Sequence, residues 1–96
     1  MHKYFVYMLS NYSNRVLYTG VTNELSRRLQ EHRSGIIKGF SQRYRLYKLV
    51  YFEIYENVSE ARAREHQIKG WSRARKDELV ICANPEWRDL AGQLTV

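Results

Sequence analysis

The alternation of apolar and polar positions changes period several times along the chain, and each change marks an element. Residues 3–10 are rich in Tyr, Phe and Val and read as a strand. Asn11, Tyr12, Ser13 and Asn14 have turn chemistry, and residues 15–21 form a second run of the same kind. Two such runs around a short polar turn predict an antiparallel hairpin. Thr22 and Asn23 then look like a helix cap, with Glu24 in the first turn of a helix that runs to about residue 33 and stops at Ser34 and Gly35. Residues 35–46 carry basic residues and glycines without a period and read as a loop. Residues 47–55 form a third strand, with Leu49, Tyr51, Glu53 and Tyr55 on one face and Val50, Phe52 and Ile54 on the other. Ser59 caps a second helix over residues 60–69 that ends at Gly70, and residues 71–83 form a third. Asn84 and Pro85 resemble the start of a last short helix. The order β-β-α-β-α-α describes an α+β domain, a three-stranded antiparallel sheet flanked by helices.

Two helices place polar groups where apolar ones belong. At 100° per residue the first helix collects Leu25, Arg28, Leu29 and His32 on one stripe. The second collects Val58, Ala61, Glu65 and Ile68. A charge on a buried stripe is costly unless it is paired, hydrated in a cleft or bound to a metal. Two arrangements satisfy this: Arg28 and Glu65 pair with each other, or both line a polar cleft at a sheet face. The third helix shows that stripes do not identify a site, because Glu78 falls equally among Trp71, Ala74 and Ile81. The strands are more informative. Tyr7 and Tyr18 lie side by side if the hairpin closes around residues 11–14, and Gly20 leaves room for a ligand backbone to approach.

Composition narrows the class. The chain has 96 residues, a formal charge of +6, 44% hydrophobic and 27% charged residues, which fits one folded domain. The longest apolar run, residues 4–9, is far short of a membrane span and short for a signal-peptide core. Cys82 is alone, and His2, His32 and His66 are too far apart for a zinc pattern. The expectation is a soluble, cytoplasmic protein that does not engage membranes. Its bias is towards Arg and Tyr, with 11 Arg to 5 Lys and 8 Tyr among 13 aromatic residues. Arg offers a planar fork of donors and Tyr a ring with a polar tip, a pairing suited to planar, anionic partners.

The basic residues cluster around the proposed cleft. Arg27, Arg28, Arg33, Lys38, Arg43, Arg45 and Lys48 fall between residues 26 and 48, with Glu31 as the one acid. Arg62, Arg64, Lys69, Arg73, Arg75 and Lys76 fall between residues 62 and 76, with Glu65 as the one acid. Tyr44, Tyr47 and Trp71 are interleaved and permit stacking on unpaired bases. DNA is the expected partner, contacted through Arg27, Arg33, Lys38, Arg43, Arg45, Lys69, Arg73 and Arg75. No separate sequence-reading module is evident, so contacts are expected to be structure-directed or weakly sequence-specific.

The residues Phe5-Val6-Tyr7, Tyr18-Thr19-Gly20 and the run from Asn23 to His32 resemble the core of the GIY-YIG nuclease family. The segments around Glu53, around Glu65 through Arg73, and from Asn84 to Leu90 are similar to its small stand-alone bacterial members. Of the two tripeptide motifs, Tyr7, Tyr18 and Gly20 are kept. The resemblance implies metal-dependent hydrolysis of DNA phosphodiesters, in repair or recombination. It makes Tyr7 and Tyr18 the motif tyrosines, Arg28 the helical arginine and Glu65 the metal-binding carboxylate, with His32 supporting the tyrosines. Asn84 is a further candidate, far along the chain from Glu65.

Chemistry sets what such a site must supply. Phosphodiester hydrolysis needs its barrier lowered by about 20 kcal/mol, more than an arginine provides. A single Mg²⁺ or Mn²⁺ on Glu65, completed by phosphate and water, fills much of the gap. A free phenol with a pKa near 10 is almost wholly protonated at neutral pH, so a tyrosine base needs help. Tyr7 is taken as base or water-orienting group with Tyr18 as its partner, an allocation that can be reversed. The competing readings are a non-catalytic nucleic-acid-binding module of the same fold, and a docking subunit anchored by Trp71 and Trp87. A domain this small also leaves room for a partner protein or a homodimer to supply specificity.

Overall fold

Strand β1 (Tyr4–Ser10) lies between β2 (Leu17–Thr22) and β3 (Lys48–Tyr55), antiparallel to both, in the order β2-β1-β3. Helix α1 (Leu25–Ser34) follows β2, and α2 (Val58–Lys69) and α3 (Arg73–Ala83) follow β3. A 3₁₀ turn (Leu90–Leu94) follows α3. The computed structural model describes residues 3–34 and 43–94. The α+β class and the three-stranded antiparallel sheet are as the hydrophobic pattern predicts. Most of the loop expected over residues 35–46, with Lys38, lies outside the described residues. Residues 43 and 44 are helical rather than looped. Arg45 then adopts a left-handed φ of 55°, and the following Leu46 is fully buried.

The sheet is covered on both faces. Tyr7 and Leu9 of β1 point to the α1 side, where they join Leu25, Leu29, Leu46 and Leu49. Val6 and Met8 point the other way and join Ala61 and Ile68 of α2 and Val80 of α3. The strict alternation expected for β3 fails at one place. Met8 pairs with Tyr51 but Leu9 pairs with Leu49, so Val50 is an extra residue in a β-bulge. The bulge puts Val50 and Tyr51 in the α2 cluster while Leu49 and Phe52 both pack on the α1 side. The Val50 carbonyl there accepts a hydrogen bond from Asn84 Nδ2 at 3.0 Å.

Several boundaries move for local reasons. Strand β2 starts two residues late because Asn11 Oδ1 accepts from the amides of Arg15 and Val16, holding both in the turn. Asn57, not Ser59, caps α2, accepting from the amides of Ser59 and Glu60. Ser72 caps α3, which leaves Trp71 outside the helix, stacked between the guanidinium groups of Arg64 and Arg75. The face of α3 turned inward carries Leu79 and Val80, so the stripe through Ala74, Glu78 and Ile81 faces outward instead. Asn84 does not start a helix. Its side chain binds Val50 O, Arg88 O and Arg88 N, and the next helical residues begin at Leu90.

Candidate active site

The site begins with a glycine that makes room for a phenol. Tyr7 pairs with Gly20 across the β1–β2 ladder, and the Tyr7 ring folds over it. A Cβ at position 20 would lie 2.6 Å from Tyr7 Oη, 2.7 Å from Tyr7 Cζ and 3.0 Å from a Tyr18 ring carbon. Gly20 therefore admits the side chain of Tyr7 rather than a ligand backbone. Tyr18 pairs with Leu9, which makes it the diagonal neighbour of Tyr7 on the α1 face. The two tyrosine rings sit 6.1 Å apart.

Helix α1 closes this pair from above. Leu25 and Leu29 are buried with His32, so the stripe read from the sequence is the packed face. His32 Nε2 lies 3.2 Å from Tyr7 Oη, and its ring centroid is 5.5 Å from that of Tyr18. His32 Nδ1 is buried without a hydrogen-bond partner among the described residues. Burial, aided by the Arg28 charge, holds the imidazole pKa below the ordinary histidine value, so the ring is neutral at pH 7. Tyr7 is only 2% exposed. Burial pushes its phenol well above the usual tyrosine range; Tyr18 and Glu65 add to this, and Arg28 opposes it.

These influences locate the two remaining charges. Arg28 from α1 and Glu65 from α2 both act on the Tyr7 hydroxyl. They do not pair with each other: Arg28 Nη1 is 3.6 Å from Glu31, and Glu65 is 3.0 Å from Lys69 Nζ. Arg28 is half-buried, whereas the Glu65 side chain is 20% exposed. The helices cover opposite sheet faces, so the polar groups do not meet over one face as the stripes suggested. What Arg28 and Glu65 share is an electrostatic influence on the Tyr7 hydroxyl. Beside Tyr18 a groove of about 350 Å³ is lined by Leu17, Tyr18 and Thr19 of β2 with Lys69 and Lys76 of the two later helices. A smaller polar hollow of about 70 Å³ lies at the start of α1, between Thr22, Asn23, Glu24, Arg27, Arg28 and Glu31.

The basic residues divide by what already holds them. Arg33 reaches Tyr47 O at 2.7 Å and pairs with Asp89, tying α1 to the chain end. Arg73 binds the carbonyls of Asn14 and Arg15 and the Asp77 carboxylate, clamping the hairpin turn to α3. Arg64, another member of the second basic segment, forks onto Glu53, which also accepts from the hydroxyls of Tyr51 and Tyr55. Arg27, Arg43, Arg45, Lys69 and Arg75 are exposed and, among the described residues, tied only locally, Arg27 and Lys69 to Glu31 and Glu65 and Arg43 and Arg75 to the rings of Tyr44 and Trp71. Lys76 was not singled out for DNA contact, and only the fold brings it beside Tyr18. Asn84 is 5% exposed and fully engaged by backbone partners, which makes it a brace for the β3 bulge.

The donor chemistry fits one hard cation. Among the described residues no group of three or more His, Cys, Asp or Glu side chains is placed to enclose a metal. A lone carboxylate such as Glu65 suits Mg²⁺ or Mn²⁺, which take one or two protein carboxylates and fill their other positions with water and phosphate.

Comparison with known proteins shows the family. Residues 3–78 match the family model of the GIY-YIG catalytic domain. A UPF0213 protein of Syntrophus aciditrophicus is 44% identical over 87 residues, covering 90% of this chain and 98% of its own. One from Clostridium perfringens is 40% identical over 76 residues, covering 79% of this chain and 81% of its own. The solution NMR structure of a UPF0213 protein from Bacillus halodurans superposes with a TM-score of 0.59 at 26% identity, covering 98% of this chain and 99% of that one. With the match spanning the sheet, the tyrosine pair, Arg28 and Glu65, the chain belongs to the GIY-YIG nuclease family.

Proposed function

We propose that the protein is a metal-dependent endonuclease that hydrolyses DNA phosphodiester bonds at the β2 edge of the sheet. The observation that carries this reading is the buried Tyr7 hydroxyl, 3.2 Å from His32 Nε2 and beside the Tyr18 ring, whose charge state Arg28 and Glu65 both influence. Arg28 holds the scissile phosphate and offsets the charge that develops on it. Glu65 would hold a single Mg²⁺ or Mn²⁺, which would supply positive charge to offset the charge that develops during hydrolysis. Tyr7 orients the attacking water and takes its proton while passing its own to His32 Nε2, 3.2 Å away. The lowered pKa of His32 serves this role by keeping a lone pair free to accept. Tyr18 opens on the groove and sets the position of Tyr7.

The surface arginines and lysines contact flanking phosphates, which carry no sequence information, so the substrate is set by DNA structure more than by sequence. A cleavage panel tests the proposal. Single-stranded, nicked, branched and duplex DNA are incubated with Mg²⁺ or Mn²⁺, with wild type beside Glu65→Gln and Arg28→Ala. Wild type is expected to cut at least one substrate, and each variant to lose at least about 100-fold, the scale for removing one transition-state contact. Binding without cutting on every substrate would instead support a nucleic-acid-binding module of the same fold.

A further inference from the structure

Lys69 stands between the two ligands that the proposed function requires. Its ammonium is 3.0 Å from the Glu65 carboxylate, one helical turn earlier on α2, and its side chain is 49% exposed. The same lysine lines the groove with Leu17, Tyr18, Thr19 and Lys76. The ion pair therefore occupies the carboxylate that would hold the cation, using the ammonium best placed for a phosphate beside Tyr18. One residue cannot serve both partners fully at once. We propose that Lys69 couples metal and DNA binding by exchanging partners. Resting on the metal reading of Glu65, the exchange runs as follows. In the free protein Lys69 neutralises Glu65 and weakens its hold on a cation. A DNA phosphate entering the groove takes the ammonium, which uncovers the carboxylate. A cation on Glu65 equally releases Lys69 towards the phosphate, since such coupling must be reciprocal.

The neighbouring charges favour this exchange. Lys76 lines the same groove, so a phosphate arriving there meets two ammonium groups and draws Lys69 away from Glu65. With the Lys69 end half-exposed, an i,i+4 ion pair of this kind is weak and little opposes its opening. In a water-like dielectric a unit charge about 4 Å away changes the affinity of a singly charged group about fivefold and that of a divalent cation about thirtyfold. That sets the scale of the effect.

Two binding measurements without turnover test the exchange. In the first, Mn²⁺ binding to the DNA-free protein is followed by electron paramagnetic resonance. Lys69→Met should bind Mn²⁺ about thirtyfold more tightly than wild type, Lys69→Arg should match wild type, and Glu65→Gln should lose the site. In the second, a branched DNA oligonucleotide is titrated in EDTA with wild type, Glu65→Gln, Lys69→Met and the double variant. Glu65→Gln should tighten DNA binding in the wild-type background about fivefold. That gain should disappear when Lys69 is Met, the non-additivity expected of coupled residues. Equal gains in both backgrounds, or unchanged Mn²⁺ affinity in Lys69→Met, would overturn the exchange and leave Glu65 as metal ligand. Manganese binding that survives Glu65→Gln overturns the metal assignment and the exchange with it.

Discussion

Tyr7 and Gly20 form a single unit at the centre of the site. With only 2.6–2.7 Å between a Cβ at position 20 and the Tyr7 phenol, Gly20→Ala must push the ring off its seat. Overpacking of this kind costs about 1–3 kcal/mol, so urea denaturation should show a loss in that range together with lost cleavage. The sequence reading placed Gly20 beside the tyrosines but assigned the space to a ligand, because pairing register is not visible in a tripeptide. His32 was legible for the opposite reason: helical spacing alone puts it on the stripe with Leu25 and Leu29. Its lowered pKa has a definite sign. As pH falls through the ordinary histidine range near 6.5, the unfolded chain takes up a proton that the folded site refuses, so stability falls. Wild type should lose stability relative to His32→Gln between pH 7 and pH 5, read from urea midpoints at each pH. Cleavage should fall over the same acid range, with a midpoint below 6.5, because a protonated His32 no longer accepts from Tyr7.

At the scale of elements, the site depends on where α2 begins and how it is fastened to β3. Asn57 accepts from two amides at the start of α2, and losing such a cap costs about 1 kcal/mol. Asn57→Ala should therefore destabilise by that amount, while Ser59→Ala should change stability by a few tenths at most; thermal unfolding of the two variants separates them. Both residues are good caps by composition, and the choice between them falls to the helix start that packing selects. The fork from Arg64 to Glu53 then fixes the helix laterally, one residue before Glu65. Glu53 is held below the usual carboxylate range despite its burial, chiefly by Arg64, with Tyr51 and Tyr55 contributing. Arg64 had counted as part of a basic segment because sequence order does not show that Glu53, eleven positions earlier, faces it. The β3 bulge was equally hidden. Alternation predicts a regular strand, and only the pairing of Leu9 with Leu49 shows that Val50 is extra.

For the molecule as a whole, the proposed encounter with DNA rests on the +6 charge and its distribution. Counting basic residues along the chain overstates that interaction, because Arg33, Arg64 and Arg73 are already committed to Asp89, Glu53 and Asp77 and to backbone carbonyls. Each phosphate neutralised contributes about −0.9 to the slope of log K against log salt on duplex DNA. If every lysine and arginine of the two basic segments made a contact, the slope would approach about −12. With the committed residues removed and only one side of the molecule able to face a duplex, we expect about −4. Two substitutions check the division. Arg75 lies over Trp71 at the surface, 4.2 Å from its ring, and Arg75→Gln should lower the slope by about one without unfolding the protein. Arg73 instead clamps the hairpin turn that carries β1 into β2, so Arg73→Gln should leave the slope unchanged and cost about 1 kcal/mol in denaturant. Fluorescence anisotropy across a salt series, beside urea melts of both variants, measures the two quantities separately. A slope that falls equally for both would mean that the Arg73 clamp opens on DNA, and that the hairpin carrying Tyr7 and Tyr18 is reset by the substrate.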